Sequence, residues 1–503
     1  MKKIRNYFSV DPLVFYPTAT IAILFVLTVI LIGEPASVFF NGFQSFMSEK
    51  LGWFVTLAIN FYLIKIISLA FGKFGGIRLG GKDALPEFSK ITWIAMLFSA
   101  GMGIGLIYFS IAEPMYHFLN PISSSFSEKQ KVIYAMKTTF LHYGFHVWGI
   151  YCLVALSLAF FCFNRKKPLS LSSTVEGYLP EKFKFLSKVI DLFASLATLF
   201  GLATSLGFGA KQFSAGLEHL FGISSGVPTQ ITSIIGITLI ATISIVTGLK
   251  KGVKVLSQLN IFLAIFLFLT VLFLGPTVKL LNFFVQTTGI YFQNFISVGL
   301  ERGSFSDNAG FFKSWNMFYW AWWISWSPFV GTFIARISKG RTIKEFVIYV
   351  LFVPSIATFL WMGVFGGLAF DLQLVQGIDI ASVVKEDSSR ALFVVLKELP
   401  LSELLSFLSL FLVATFFITS SDSGSLVVDY MTTGGKLDAP VGQKIFWASM
   451  EGLISIALLL GGGLVALQAA SISTGFPFSL FLVIVGICLG KEVKKYYEEN
   501  KVL

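Results

Sequence analysis

Charge is scarce in this chain: only 13% of its 503 residues are Asp, Glu, Lys or Arg, against 55% hydrophobic and 16% aromatic. Soluble globular proteins carry about 25% charged and about 45–50% apolar residues. A water-soluble enzyme or binding domain is therefore excluded as the body of the protein. Cysteine is nearly absent, and Cys152, Cys162 and Cys488 all fall inside apolar runs. That excludes the disulfide framework of a small secreted fold. Also missing are a zinc-protease motif, a phosphate-cradling glycine loop followed by Lys, and a nucleophile with a recognisable base. No enzyme is expected. Lys2, Lys3 and Arg5 precede the first apolar run, but no small-residue cleavage site follows it, so it reads as a retained span.

What is present is a succession of apolar runs of about 20 residues, enough to cross the hydrocarbon core as helix. Spans are predicted at 13–33, 51–71, 91–112, 134–162, 186–213, 229–248, 257–275, 311–336, 344–369, 400–428, 443–467 and 472–490. The expected fold is an all-α membrane protein with 12 transmembrane helices. Its core, 13–490, lies between a short N-terminal segment, 1–12, and a tail, 491–503. Residues 277–300 alternate apolar and polar character and suit an amphipathic interfacial helix. The net charge of +11 is not a nucleic-acid footprint, because the basic residues fall in alternate loops. They are Lys73, Arg78, Lys82 and Lys90; Arg165, Lys166, Lys167, Lys182 and Lys184; Lys250, Lys251 and Lys254; Arg336, Lys339, Arg341 and Lys344; and Lys491, Lys494 and Lys495. The intervening loops are poorer in Lys and Arg, and the longest carries Asp371, Asp379, Glu386 and Asp387. By the positive-inside rule both termini face the cytoplasm.

Two spans depart from what lipid-facing helix would choose. The third holds Gly101-Met102-Gly103-Ile104-Gly105, each glycine costing about 1 kcal/mol against Ala in a helix. The eighth holds Trp320, Trp322, Trp323 and Trp326, followed by Pro328. They lie five spans apart, as in two five-helix repeats, about 91–275 and 311–490, preceded by two extra helices. Interrupted helices at such matching places mark a transporter binding site at the bilayer midplane. Close helix packing is the alternative reading of the glycines, and an aromatic packing core that of the tryptophans. Membrane tryptophan usually forms interfacial belts rather than a cluster running through a span. A quaternary ammonium has no hydrogen to donate and is best held by ring faces, at about 2 kcal/mol or more per desolvated contact. The fourth span offers further rings in Tyr143, Trp148 and Tyr151, the last two on one face.

Phe318-Tyr319-Trp320-Ala321-Trp322-Trp323-Ile324-Ser325-Trp326-Ser327-Pro328-Phe329, running on through Ala335-Arg336-Ile337-Ser338-Lys339-Gly340-Arg341, resembles the signature of the betaine/choline/carnitine transporter family. Gly101 to Gly105 followed by Ala112-Glu113-Pro114 does likewise. The resemblance covers essentially the whole core and is nearest to sodium-coupled glycine betaine carriers. It implies a LeuT-type 5+5 inverted repeat, a homotrimer, and residence in a bacterial inner membrane. It also implies a substrate trimethylammonium group among Trp148, Tyr151 and Trp323, with Trp322 and Trp326 lining the route or alternate states; Trp320 is a further candidate substrate-binding residue. Tyr143 stands where the family commonly has Trp, and a smaller ring there bears on substrate preference. Backbone at Gly101, Met102 and Gly103, with Ser205 nearby, is the implied carboxylate site. For the co-transported sodium ion the resemblance implies carbonyls at Ser99, Met102 and Phe416 and hydroxyls at Thr419 and Ser420. A second sodium site would use Thr198 and Phe329, but Leu202 stands where a second Thr is usual. Proton-coupled relatives tend to carry Asp where this chain has Gly105, and sodium-independent exchangers an Arg in the seventh span, which Leu256 to Ile261 lacks. Sodium symport of glycine betaine or a related quaternary-ammonium or sulfonium zwitterion is therefore the expectation. Proton-coupled or exchange transport of choline, carnitine or dimethylsulfoniopropionate is the alternative.

A channel would need a continuous pore, whereas an aromatic box beside broken helices fits an occluded carrier. Asp422, inside the tenth span, reads either as a functional ionisable group or as a cap on neighbouring hydroxyls. Lys65 is expected to snorkel to the interface. His142 and His146, four apart without a further ligand cluster in sequence, are expected to be structural. The tail after Gly490 is short and mixed in sign, so no strong built-in osmosensor is expected from it.

Overall fold

The computed structural model describes residues 9–33, 35–101, 103–247, 250–435 and 440–501. Met102, Lys2, Lys3 and Arg5 lie outside the described residues. Among the described residues, secondary structure is helical apart from one bridge pairing Arg78 with Thr342. In chain order the helices are α1 (Pro12–Ile32), α2 (Ala36–Lys50), α3 (Gly52–Phe71), α4 (Lys90–Gly101), α5 (Ile104–Leu119), α6 (Glu128–Tyr143) and α7 (Phe145–Arg165). There follow α8 (Ser172–Val175), α9 (Leu186–Phe221), α10 (Val227–Thr247), α11 (Lys250–Leu274), α12 (Thr277–Gln293) and α13 (Phe295–Leu300). The second half comprises α14 (Ala309–Ile337), α15 (Ile343–Leu374), α16 (Ile380–Asp387), α17 (Ala391–Lys397), α18 (Ser402–Thr432), α19 (Val441–Leu460) and α20 (Leu464–Lys501).

Local chemistry sets many of these ends. Asp11 caps α1 by accepting from the Leu13 N–H, with Pro12 at the first helical position. Thr342 caps α15 by accepting from Glu345 N–H at 3.1 Å. Gly222, at φ 69°, closes α9 in the left-handed conformation that glycine takes without strain.

Among the described residues, ten helical stretches are long and apolar enough to cross a membrane, or eleven with the bent α4–α5 pair as one span. The chain is a multi-pass membrane protein. In the stretch formed by α6 and α7, 94% of the apolar window is buried by protein, and in the one containing α9 83%. For α10 and the apolar part of α11 the figure is 28%. The former lie inside the bundle, therefore, and the latter present most of their apolar surface outward, as lipid-facing helices do. Helix α14 is also largely buried, and its tryptophans, Asn316 and serines make it less apolar than its neighbours. Its 29 residues reach about 43 Å at 1.5 Å per residue.

Several features differ from the sequence expectation. The eighth span was expected to be interrupted near Pro328, yet α14 runs through it. The proline removes the N–H that would bond the Ile324 carbonyl, and the Ser327 hydroxyl donates to that carbonyl instead at 2.7 Å. A break the sequence reading missed divides the fourth span at Gly144, between α6 and α7. A Cβ there would stand 2.5 Å from the Phe140 carbonyl oxygen and 2.7 Å from the Phe359 ring, so only glycine fits. The segment 277–300 forms two helices, not one, α19 stops at a turn through Gly461 to Gly463, and α20 carries the tail onward as helix to Lys501. Arg165 holds that extension through Glu492 and Glu499, each at 2.6 Å.

Candidate functional site

The helix pair α4–α5 bends by 59° between Lys90–Ser99 and Ile104–Leu119. The first N–H groups of any α-helix lack intrahelical partners, and no side chain caps α5 at Gly103. Gly103, Ile104, Gly105 and Leu106 line a narrow cavity of about 50 Å³ between the helices. Facing them, α6 and α7 contribute Tyr143, Trp148 and Tyr151, α14 contributes Trp322, Trp323 and Trp326, and α9 contributes Ser205.

The rings are held at steep angles to one another. Trp148 meets Tyr151 edge-on with centroids 5.2 Å apart, Tyr151 meets Trp323 at 6.1 Å and 85°, and Tyr143 meets Trp323 at 5.5 Å and 78°. Trp322 stacks on Trp323 at 5.0 Å and 15°. The indole N–H groups of the three α14 tryptophans are hydrogen-bonded within the protein. Trp323 donates to the His142 carbonyl at 2.7 Å, while Trp322 and Trp326 both donate to the Ser205 hydroxyl, at 3.2 and 3.1 Å. Trp326 also donates to the Gly201 carbonyl at 3.1 Å. A lining of aromatic rings, with the N–H groups of Trp322, Trp323 and Trp326 already satisfied, suits a cation that cannot donate. The break at Gly144 frees the Tyr143 carbonyl, and Thr358 donates to it at 2.9 Å. Gly105 is required by packing as well, since a Cβ there would lie 2.6 Å from the Trp322 ring.

The structure thus gathers Tyr143, Trp148, Tyr151, Ser205, Trp322, Trp323, Trp326 and Gly103 around one cavity. Trp320 is elsewhere. It lies edge-on to His142 at 5.6 Å and packs on His146 at 6.3 Å. Gly101 ends α4, its surroundings undescribed, and Met102 lies outside the described residues.

A second cavity adjoins the first, sharing Trp326 and Val330. Ser99, Phe416, Thr419, Ser420 and Phe329 line it, together with Ser257, Asn260 and Ser423. Thr419 donates to the Thr415 and Phe416 carbonyls at 2.9 and 3.2 Å, and Asn260 donates to the Thr419 hydroxyl at 3.3 Å. Oxygen donors of this kind are what a hard cation prefers. Asn260 was not singled out from the sequence, since its signal there is one amide in a polar stretch. Thr198 is not in this lining. Its buried hydroxyl has no hydrogen-bond partner among the described residues, and Leu202 is wedged against Gly424, where a Cβ would come within 2.4 Å of it.

Residues 13–498 match the profile described as the BCCT, betaine/carnitine/choline family transporter. A glycine betaine/proline/choline/ectoine transporter of Vibrio parahaemolyticus is 42% identical over 482 residues, covering 94% of this chain and 85% of that one. A glycine betaine transporter of Bacillus subtilis is 40% identical over 461 residues, 91% and 90% of the two chains. Among solved structures, a manganese transporter from Eremococcus coleocola aligns loosely over 81% of each chain, with a TM-score of 0.42 and 13% identity. On the family match and the identity to these curated relatives, the chain belongs to the betaine/carnitine/choline transporter family and is a carrier of small molecules, not an enzyme.

Proposed function

We propose that the protein imports glycine betaine or a related quaternary-ammonium or sulfonium zwitterion by sodium symport with alternating access. The observation that carries this reading is the convergence of Trp148, Tyr151, Trp323 and Tyr143 on one cavity that the start of α5 also lines. Ring faces suit an onium group, and a helix N-terminus suits the carboxylate of the same molecule. Glycine betaine carries both charges a few bonds apart. Supporting sodium, the second cavity brings Ser99, Phe416, Thr419 and Ser420 together beside the first. Because Trp326 and Val330 line both cavities, a cation that orders α18 against α14 would also set a cage wall, and such a shared element can couple two sites. The doubtful second site, at Thr198 and Phe329, has only Phe329 in this lining.

The architecture belonging to this reading has twelve spans, with α14 as the twelfth, arranged as a LeuT-type 5+5 inverted repeat behind two leading helices. The basic loops and both termini face the cytoplasm of a bacterial inner membrane. A homotrimer follows from the family resemblance. The test is uptake of labelled glycine betaine into proteoliposomes under an imposed sodium gradient. Uptake that needs sodium outside supports symport. Uptake that proceeds equally in potassium, driven by a pH gradient or by preloaded choline or carnitine, overturns it in favour of the proton-coupled or exchange alternative.

A further inference from the structure

Glu113 and Glu451 are both carboxylates deep in the bundle with no Lys or Arg paired to them among the described residues, and Glu113 is the one beside the cage. Glu113 of α5 is fully buried, and its Oε1 sits 2.6 Å from His142 Nδ1 and 3.4 Å from His117 Nε2. His142 Nε2 in turn faces Asn316 Oδ1 of α14 at 2.7 Å. Both nitrogens of His142 therefore point at oxygen acceptors, the pattern of a ring with a proton on each. A buried carboxylate needs a compensating positive charge, and here the imidazoles are the groups in place to supply it. A metal ion fits less well. Nitrogen and oxygen ligands about 2.0–2.1 Å from a tetrahedral ion stand roughly 3.3 Å apart, whereas 2.6 Å between His142 and Glu113 is hydrogen-bond distance.

This cluster touches the cage. The His142 carbonyl holds the Trp323 indole, and the His142 ring stacks on Tyr319 at 4.4 Å and 13°. The Tyr319 hydroxyl is 3.4 Å from that of Tyr143, which lines the cavity. Along α5, α6 and α14 the cluster lies on the side of the cage away from the Lys- and Arg-rich loops, under Phe311 and Trp315. The other titratable groups around it are His146 of α7, which touches Tyr291 of α12, and Tyr134 of α6 against His117.

We propose that Glu113, His142 and His117 form a proton-binding site that closes the outer side of the substrate cage. With the proton bound, the carboxylate and imidazolium are jointly neutral and α5, α6 and α14 pack together. When the cluster gives up that proton to outside water, a buried carboxylate without a compensating charge remains, and the closed packing is disfavoured. Closure over a loaded cage thus takes up one proton from outside and opening returns it. The closed state is favoured at low external pH and lost as pH rises. The direction of this effect rests on the transport reading above, and Glu113 and His142 act as positioning residues.

The experiment uses the full chain in proteoliposomes, at saturating sodium and fixed internal pH, with external pH varied from about 5.5 to 8.5. Glycine betaine uptake is expected to fall by up to tenfold per unit above its midpoint. Glu113→Gln is expected to flatten the profile, because an amide needs no imidazolium, and Glu113→Asp to restore a slope. A flat wild-type profile, or an unchanged one in Glu113→Gln, overturns the proposal. So does loss of uptake with a chelator and its recovery with zinc, which would make the cluster a metal site. Should Glu113→Gln fail to fold, adding glycine betaine and sodium to weakly buffered wild-type protein decides the matter with a pH indicator. Uptake of up to one proton per chain is expected, and none overturns the idea. Replacing sodium by potassium at pH 6 tests the symport reading separately, since sodium dependence can fail while the pH profile stands.

Discussion

Replacing Trp323 by Ala separates the cage from ordinary aromatic packing, because Trp320, three residues earlier on the same helix, provides a built-in control. Trp323 lines the cavity and meets Tyr143, Tyr151 and Trp322. Trp320 is buried against His142 and His146 and lines no cavity described above. A desolvated cation–π wall is worth about 2 kcal/mol, or roughly 30-fold in dissociation constant at 1.4 kcal/mol per tenfold. Trp323→Phe keeps a weaker π face and should fall between wild type and Ala. Loss of a buried Trp costs stability by about 3–5 kcal/mol, so Trp320→Phe is the safer control. It should lower thermal stability while leaving substrate affinity of the folded fraction within about twofold. The assay is glycine betaine titration of purified protein in saturating sodium, followed by intrinsic fluorescence, with melting measured on the same samples. Wild-type affinity in Trp323→Ala, or equal losses of affinity in the two variants, would refute the assignment of these rings.

Thr419→Ala combined with Ser420→Ala is expected to raise the sodium concentration for half-maximal uptake severalfold with little change in melting; an unchanged sodium curve removes these hydroxyls from the ion site. Gly105→Asp, rather than conferring proton coupling, should abolish binding, because its Cβ would meet the Trp322 ring at 2.6 Å; uptake of unaltered affinity counts against the packing described. Gly144→Ala is expected to destabilise the fold by about 1–3 kcal/mol through overpacking against Phe359 and the Phe140 carbonyl, a loss that differential scanning fluorimetry would register.

Much of the fold was legible because lipid imposes a simple rule, with most spanning segments declaring themselves as long apolar runs. The predicted second span at 51–71 and α3 at Gly52–Phe71 differ by one residue, and the segment 344–369 lies within α15. Errors came where that rule is silent. Helix α2, which follows α1 almost directly, has Asn41, Gln44 and Glu49 among its aromatics and no span-length apolar run. The ends of α6 and α20 extend past their apolar stretches into polar sequence, because helix continues wherever caps and ion pairs support it. The α14 case is subtler. Proline signals a break, but a serine just before it met the freed carbonyl, and that compensation depends on rotamer rather than composition.

Legibility of the site divides by the range of its contacts. Trp322 and Trp326 are four apart on one helix, and Trp148 and Tyr151 three apart on another, so spacing alone placed each pair on a common face. Spacing also grouped Trp320 with Trp323, and there it stopped short: helical position says which residues neighbour each other, while the partner helix decides which of them reach the cavity. Ser205 and Thr358 act by accepting from or donating to groups more than a hundred residues away. The Glu113 cluster is the extreme case. Glu113 and His117 are four apart on α5, but His142 comes from α6 and Asn316 from α14, and no spacing joins them. His142 read alone was an unremarkable buried ring. Its role follows only from finding a carboxylate on one nitrogen, an amide oxygen on the other, and a cage tryptophan on its own carbonyl.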